Sequence, residues 1–366
     1  MQMDRRYLQC FEWPLAATIF GMVLVGILTI YSTNVFAASV FRKTLYLKQL
    51  TWLGLGTGAM LVACLVNPRT LARYAYLIFA ATVLLLIAVF IMGKSGLGAQ
   101  RWLRLGPLTI QPSEFAKLAL ILYLARYFDD HREELANPKV MLVPVGVSVG
   151  LALLVLKQPD LGTALLLVFL ATSLMLLMGL SWRYLIPAVI GGGVLTPVIW
   201  IFLKDYQRRR ILVFLNPDMD PLGASYHIAQ SKIAVGSGGF LGKGWLGATQ
   251  SQLNFLPLNH TDFIFAVLAE QWGFLGCLLI LLAYLYLITK GFQIAQDSTD
   301  LFVSLLAAGV ASMLAIQVLI NMAMVMGLLP VVGIPLPLLS YGGSSLVVTM
   351  LSLGLLLNIQ MRRFLY

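Results

Sequence analysis

One aspartate stands where a polar segment gives way to oil. The stretch from Tyr226 to Gly276 runs through a Gly-rich, cationic segment into His260-Thr261-Asp262, and an apolar run begins at Phe263. Desolvating a carboxylate at the lip of a membrane span is costly, so such a residue marks a functional site by default. Four further polar clusters break the apolar chain. Arg101-Trp102 and Arg104 precede Gln111-Pro112-Ser113-Glu114, with Lys117 close behind. Glu114 and Lys117 fall at i and i+3 on one helical face. They form either an ion pair at a helix entrance or, with Arg101 and Trp102, a basic aromatic rim for a phosphate and a sugar. In Lys157-Gln158-Pro159-Asp160, Asp160 is placed to cap the next helix, which leaves room for a second role. Arg208-Arg209-Arg210 reads as an interfacial anchor or as part of a pyrophosphate site. Lys232 and Lys243 flank Gly236-Ser237-Gly238-Gly239, where missing side chains allow a ligand to approach the backbone. The spacing around Lys243 is not that of a P-loop. Ser340 and Tyr341 close a segment from Gly333 to Ser345 too rich in proline and glycine for a spanning helix. Such backbone is tolerated near membrane depth where it is buried in protein or lines a cavity.

The elements that must position these residues are helices in lipid. Of 366 residues, 60% are hydrophobic and 11% charged, with a mean hydropathy of +0.88. Soluble domains average about 45–50% apolar and about 25% charged residues. Apolar runs of about 17–25 residues suit helices crossing a hydrocarbon core, and no alternation suggests an outer-membrane barrel. The expected fold is a single all-α polytopic domain over 1–366 with about ten spans. These are Pro14–Tyr31, Leu47–Val66, Ala72–Met92, Pro112–Tyr127, Val140–Leu156, Leu161–Leu180, Tyr184–Leu203, Phe263–Lys290, Leu301–Met326 and Ser344–Met361. A long extracytoplasmic loop, about 204–262, precedes the eighth, and a re-entrant segment precedes the tenth. An even count puts both termini on one face, and the distribution of Lys and Arg favours the cytoplasm by a small margin. The first span shows no cleavage site and is expected to stay in place. Cys10, Cys64 and Cys277, like His131, His227 and His260, are scattered and show no metal or disulfide spacing. The net charge of +10 falls heavily on the loop side, which points to an anionic lipid-linked ligand or to headgroup contact. No nucleic-acid partner is expected.

Taken together, QRWLRLGPLTIQPSEFAK, KQPDLGTALL, HTDFIFAVLAE and LLPVVGIPLPLLSYGGSS resemble, in order and spacing, the SEDS family (shape, elongation, division and sporulation). The likeness covers almost the whole chain and, through ATQSQLNFLP and the short tails, points to the family's elongation branch. The resemblance implies a peptidoglycan glycosyltransferase that polymerises lipid II at the outer face of the cytoplasmic (inner) membrane. The family's catalytic aspartate falls on Asp262, expected as general base for the acceptor hydroxyl, and its important tryptophan on Trp102. Glu114, Lys117 and Asp160 occupy family motif positions. His260, Ser340 and Tyr341 join them as expected substrate contacts. Arg101, Lys117, Arg210, Lys232 and Lys243 are candidates for stabilising the pyrophosphate leaving group. Alternatively a divalent cation, Mg2+ or Mn2+, held by Asp262 or Asp160, does so. The implied partners are lipid II, a class B penicillin-binding transpeptidase and other membrane proteins of the elongation machine. Lys157 and Trp272 depart from the usual pattern without touching its centre. Two rival readings remain open: a lipid II flippase and a non-catalytic scaffold.

Overall fold

The computed structural model describes residues 11–35, 40–96, 99–106, 108–134, 137–179, 186, 200–201, 205–216, 219, 223–253, 255–256 and 258–363. Among them, helix α1 is Trp13–Asn34, α2 Leu45–Leu65, α3 Pro68–Met92, α4 Pro112–Asp130, α5 Leu142–Lys157 and α6 Leu161–Leu177. Two shorter helices follow, α7 (Asp205–Leu215) and α8 (Ala224–Ser237), then α9 (Ile264–Asp297), α10 (Leu301–Val325) and α11 (Gly343–Met361). Each expected span but one falls on one of these helices, and α9 continues past the expected end at Lys290 to Asp297. The exception, Tyr184–Leu203, lies outside the described residues. Six of the helices are long and apolar enough to cross a membrane.

Local chemistry sets where these helices begin. Pro68 and Pro112 occupy first-turn positions, where a missing N–H leaves nothing unsatisfied. Asn67, Asp160 and Asp300 cap α3, α6 and α10 by accepting from the backbone N–H of Arg69, Thr163 and Val303. Most of α10 and α11 is buried, whereas α3 turns most of its surface outward. Small residues allow close packing: a methyl added at Gly354 of α11 would lie 2.6 Å from the Met60 carbonyl oxygen of α2. Asn358 tightens the same seam by donating to the Ala63 carbonyl at 2.6 Å. Glu12 accepts from Lys290 at 3.3 Å and from Gln360 at 3.2 Å. The beginning of α1 and the end of α11 therefore lie at the same end of the bundle.

Two features were not in the helical pattern. A three-stranded antiparallel sheet, β1 (Lys94–Gly96), β2 (Ala99–Leu105) and β3 (Leu108–Ile110), covers the site end of the bundle in the order β1-β2-β3. Its β2–β3 turn carries Gly106 at φ 63°, a conformation tight hairpin turns demand. The second feature corrects the reading of the Gly-rich loop. Two of its glycines, Gly238 and Gly242, back onto α9. Gly273 breaks α9 with φ 63° and ψ −159°, and the loop mends the break. Lys243 and Gly244 donate their N–H groups to the freed carbonyls of Glu270 and Gln271 at 2.9 and 3.0 Å. Phe274 and Leu275 donate to the carbonyls of Gly239 and Phe240 at 2.9 and 3.2 Å. A methyl at Gly242 would sit 2.2 Å from the Gln271 carbonyl oxygen. Broken helices persist in membranes when neighbouring protein satisfies the freed groups in this way.

Candidate active site

At the site end, α4, α6, α10, β2 and the segment before α11 enclose a cavity of about 430 Å3. Most of the expected residues meet there. Arg101 and Trp102 come from β2, Glu114 and Lys117 from α4, and Asp160 from the start of α6. Arg210 comes from α7, His260 and Asp262 from the turn before α9, and Tyr341 from the turn before α11.

Asp262 is held by its backbone alone. Its carbonyl oxygen accepts from Asn321 Nδ2 at 3.1 Å, and the same amide donates to Ile334 O at 2.8 Å. Ser340 Oγ donates to Thr261 O at 2.6 Å and accepts from Leu336 N at 2.8 Å. Tyr341 N donates to His260 O at 2.8 Å. The re-entrant segment is thus stitched to the turn that carries the aspartate. The Asp262 carboxylate itself forms no hydrogen bond among the described residues. It lies deep in the protein yet opens onto the cavity, near Gly333 and the Arg210 guanidinium. Burial pushes its carboxyl up to about 6, against the pull of Arg210 and Arg101 and with added repulsion from Asp160. His260 moves the other way. Burial, helped by the positive charge of Arg42, brings it down to about 4, so its imidazole is neutral at neutral pH.

The other charges are more committed. Asp160 Oδ2 accepts from Thr163 Oγ1 at 3.0 Å, Gln111 Nε2 at 3.2 Å and Ser113 Oγ at 3.3 Å. Its Oδ1 caps α6 and lies 3.8 Å from Arg101 Nη1. Arg101 also donates to the Gln158 and Pro159 carbonyls. Arg210 donates to Val331 O at 3.0 Å. Glu114 and Lys117 form a buried pair at 2.7 Å. Two expected contacts lie away from the cavity wall: Lys243 pairs with Glu270 at 2.6 Å, and Lys232 is exposed on α8 beside Gly327. Ser340 is buried in structural hydrogen bonds, behind the cavity surface.

No three His, Cys, Asp or Glu side chains stand together as a metal cluster among the described residues. With the oxygens of Asp160 occupied, Asp262 offers the free carboxylate. One carboxylate plus substrate phosphates is a usual way to hold Mg2+, so the residues fit a cation that arrives with a pyrophosphate. The cavity also includes Trp52 and Gln317, which the motif reading missed. Gln317 is readable in principle as one of two carboxamides, with Asn321, inside an apolar span.

The FtsW/RodA/SpoVE cell cycle protein family matches residues 13–364. Peptidoglycan glycosyltransferase MrdB of Escherichia coli K12 is 43% identical over 345 residues, 93% of this chain and 92% of that one. The probable peptidoglycan glycosyltransferase FtsW of Geobacter metallireducens is 39% identical, covering 99% of this chain and 96% of its own. Among solved structures, a chain from a peptidoglycan synthase complex that coordinates polymerization and crosslinking has a TM-score of 0.83 at 33% identity, covering 97% and 98% of the two chains. The rod shape determining protein RodA of Thermus thermophilus gives a TM-score of 0.72 at 30% identity, with the same coverage.

Proposed function

Since this chain belongs to the FtsW/RodA/SpoVE family and is a multi-pass membrane peptidoglycan glycosyltransferase of cell elongation, we propose that it polymerises lipid II with Asp262 as general base. What carries the assignment is the contrast within one turn: a backbone fixed on both sides of the aspartate and a carboxylate left unengaged at the cavity. A general base works best with a pKa near the working pH. An aspartate raised to about 6 meets that demand, while His260 near 4 is too weak a base.

In the proposed step Asp262 takes the proton of the acceptor sugar hydroxyl as its oxygen attacks the anomeric carbon of the donor. The bond from that carbon to the lipid pyrophosphate breaks, and the pyrophosphate leaves with the electron pair. Arg101 and Arg210, both on the cavity wall, are placed to stabilise that charge, as preorganised donors do in other transfers. Lys243 is neutralised by Glu270, so it is left out of this role. Alternatively, a divalent cation held by Asp262 and the phosphates would supply that charge neutralisation. Trp102, more than a third exposed at the rim, is suited to stack on a sugar ring. Inversion in a single displacement needs no covalent sugar-enzyme species. The cavity face is the extracytoplasmic one in this reading, with both termini in the cytoplasm. A class B penicillin-binding transpeptidase and other elongation-machine membrane proteins are the proposed partners. Polymerisation of lipid II by the purified chain in detergent tests the reading, since a flippase needs a sealed compartment. Loss of polymer with Asp262→Asn, at normal protein yield, is the expected result; wild-type turnover by that variant overturns the base assignment.

A further inference from the structure

Gln317 is fully buried on α10 and lines the cavity. Neither its Nε2 nor its Oε1 meets a hydrogen-bond partner among the described residues. One turn further, Asn321 shows what α10 does with an amide that the fold needs: its Nδ2 pins both Asp262 O and Ile334 O. Both carboxamides lie on the same helical face, at i and i+4. One is built into the frame by its donor end, and the other is not.

A buried amide left unpaired destabilises a protein, and an apolar residue of similar shape would avoid the penalty. Among the described residues the carboxamide of Gln317 makes no hydrogen bond that would hold α10 to its neighbours. Its chemistry is uncharged and two-sided, with N–H donors and a carbonyl acceptor side by side. The nearby charges do not need it, because Glu114 and Lys117 satisfy each other and Asp160 has its own donors. The complementary ligand group is another neutral amide, with one N–H and one C=O.

We propose that Gln317 recognises the acylamino group of an amino sugar in the bound lipid-linked substrate, with Oε1 accepting its N–H and Nε2 donating to its C=O. The proposal rests on the glycosyltransferase reading of the cavity and names what that cavity selects. Gln317 would be a specificity-determining residue, with no part in proton transfer.

The test uses the purified full-length chain in detergent with lipid II and with a de-N-acetylated lipid II analogue. Sites built to hydrogen-bond a substrate group discriminate strongly against analogues lacking it. Gln317→Leu should raise KM for lipid II at least about 10-fold and leave kcat within about threefold. The unaltered chain should prefer lipid II to the analogue, and the variant should lose that preference. The melting temperature of the variant should equal or exceed that of the parent. Gln317→Met, unbranched and of nearly the same length, should repeat all these results. An unchanged KM, or an equal loss on both substrates, overturns the proposal. So does destabilisation by both apolar variants, because the amide would then be serving the fold. If Asp262→Asn abolishes polymerisation while Gln317→Leu behaves as the parent, only the amide assignment fails. If Asp262→Asn is fully active, the catalytic reading itself fails.

Discussion

Two carboxylates lie near the start of α9 and are handled in opposite ways. Glu270, fully buried, takes Lys243 Nζ at 2.6 Å, Thr249 Oγ1 at 2.9 Å and the backbone N–H of Gln250 at 3.2 Å. It locks the Gly-rich loop onto the break in α9. Asp262 receives nothing on its carboxylate, although the backbone on both sides of it is tied down. In sequence the two regions look alike in one respect, each a polar segment with an ionisable group beside an apolar run. The structure separates them by satisfaction. A buried acid with all its partners supplied by protein is architecture, whereas one left open in a cavity with a raised pKa is a candidate for chemistry.

The sharpest way to break this comparison is to neutralise each acid in turn. Asp262→Asn should lower kcat by about 10²–10⁴, the usual span for a lost general base, while the protein still folds. The kcat/KM profile of the parent should rise through about pH 6 and level off above it, because the base must be ionised. Next in size, Arg210→Met should cost about 10²-fold in turnover by removing charge from the leaving-group side. Protein yield should stay normal. Both effects are read in lipid II polymerisation.

Changes in the other region should appear in stability instead. Gly242 holds φ at 81°, and its Cβ position is occupied by α9 backbone. Gly242→Ala should therefore destabilise the protein by about 1–3 kcal/mol, measured as a lower melting temperature in detergent. Glu270→Gln should cost about 1–2 kcal/mol by weakening charge-assisted bonds and leave KM for lipid II unchanged. A large KM change with either variant would mean that the loop meets substrate after all.

Much of this was legible before any coordinates. Helix starts at Pro112 and Asp160 follow from local backbone chemistry, and apolar runs fix most of the spans. Arg101, Trp102, Glu114, Lys117, Asp160, Arg210, His260, Asp262 and Tyr341 meet at one cavity. Other features depend on contacts distant in sequence. The strands around Arg101 are too short to show a period against apolar helices. Glycine permits close approach but does not say to what, so the loop before Lys243 was read as a ligand cradle when its partner is α9. Lys243 looked available because nothing in sequence places Glu270 beside it. Gln317 carries no charge and interrupts no helix, so nothing in its sequence context singles it out; its missing partners do.

The finest test of the comparison is a stability difference. A raised pKa means that the folded state holds its proton more tightly than the unfolded chain does. Between about pH 3.8, the ordinary value, and about 6, the native protein keeps a proton that the unfolded chain has lost. Ionising Asp262 therefore weakens the fold as pH rises through that window, and the penalty is fully present above it. Asparagine imitates the protonated form. Asp262→Asn should match the parent near pH 3.8 and melt slightly higher at pH 7.5, with the gap opening in between. If the variant instead melts lower at pH 7.5, the Asp262 carboxylate is holding the fold together as Glu270 does, and the distinction between the two acids is lost.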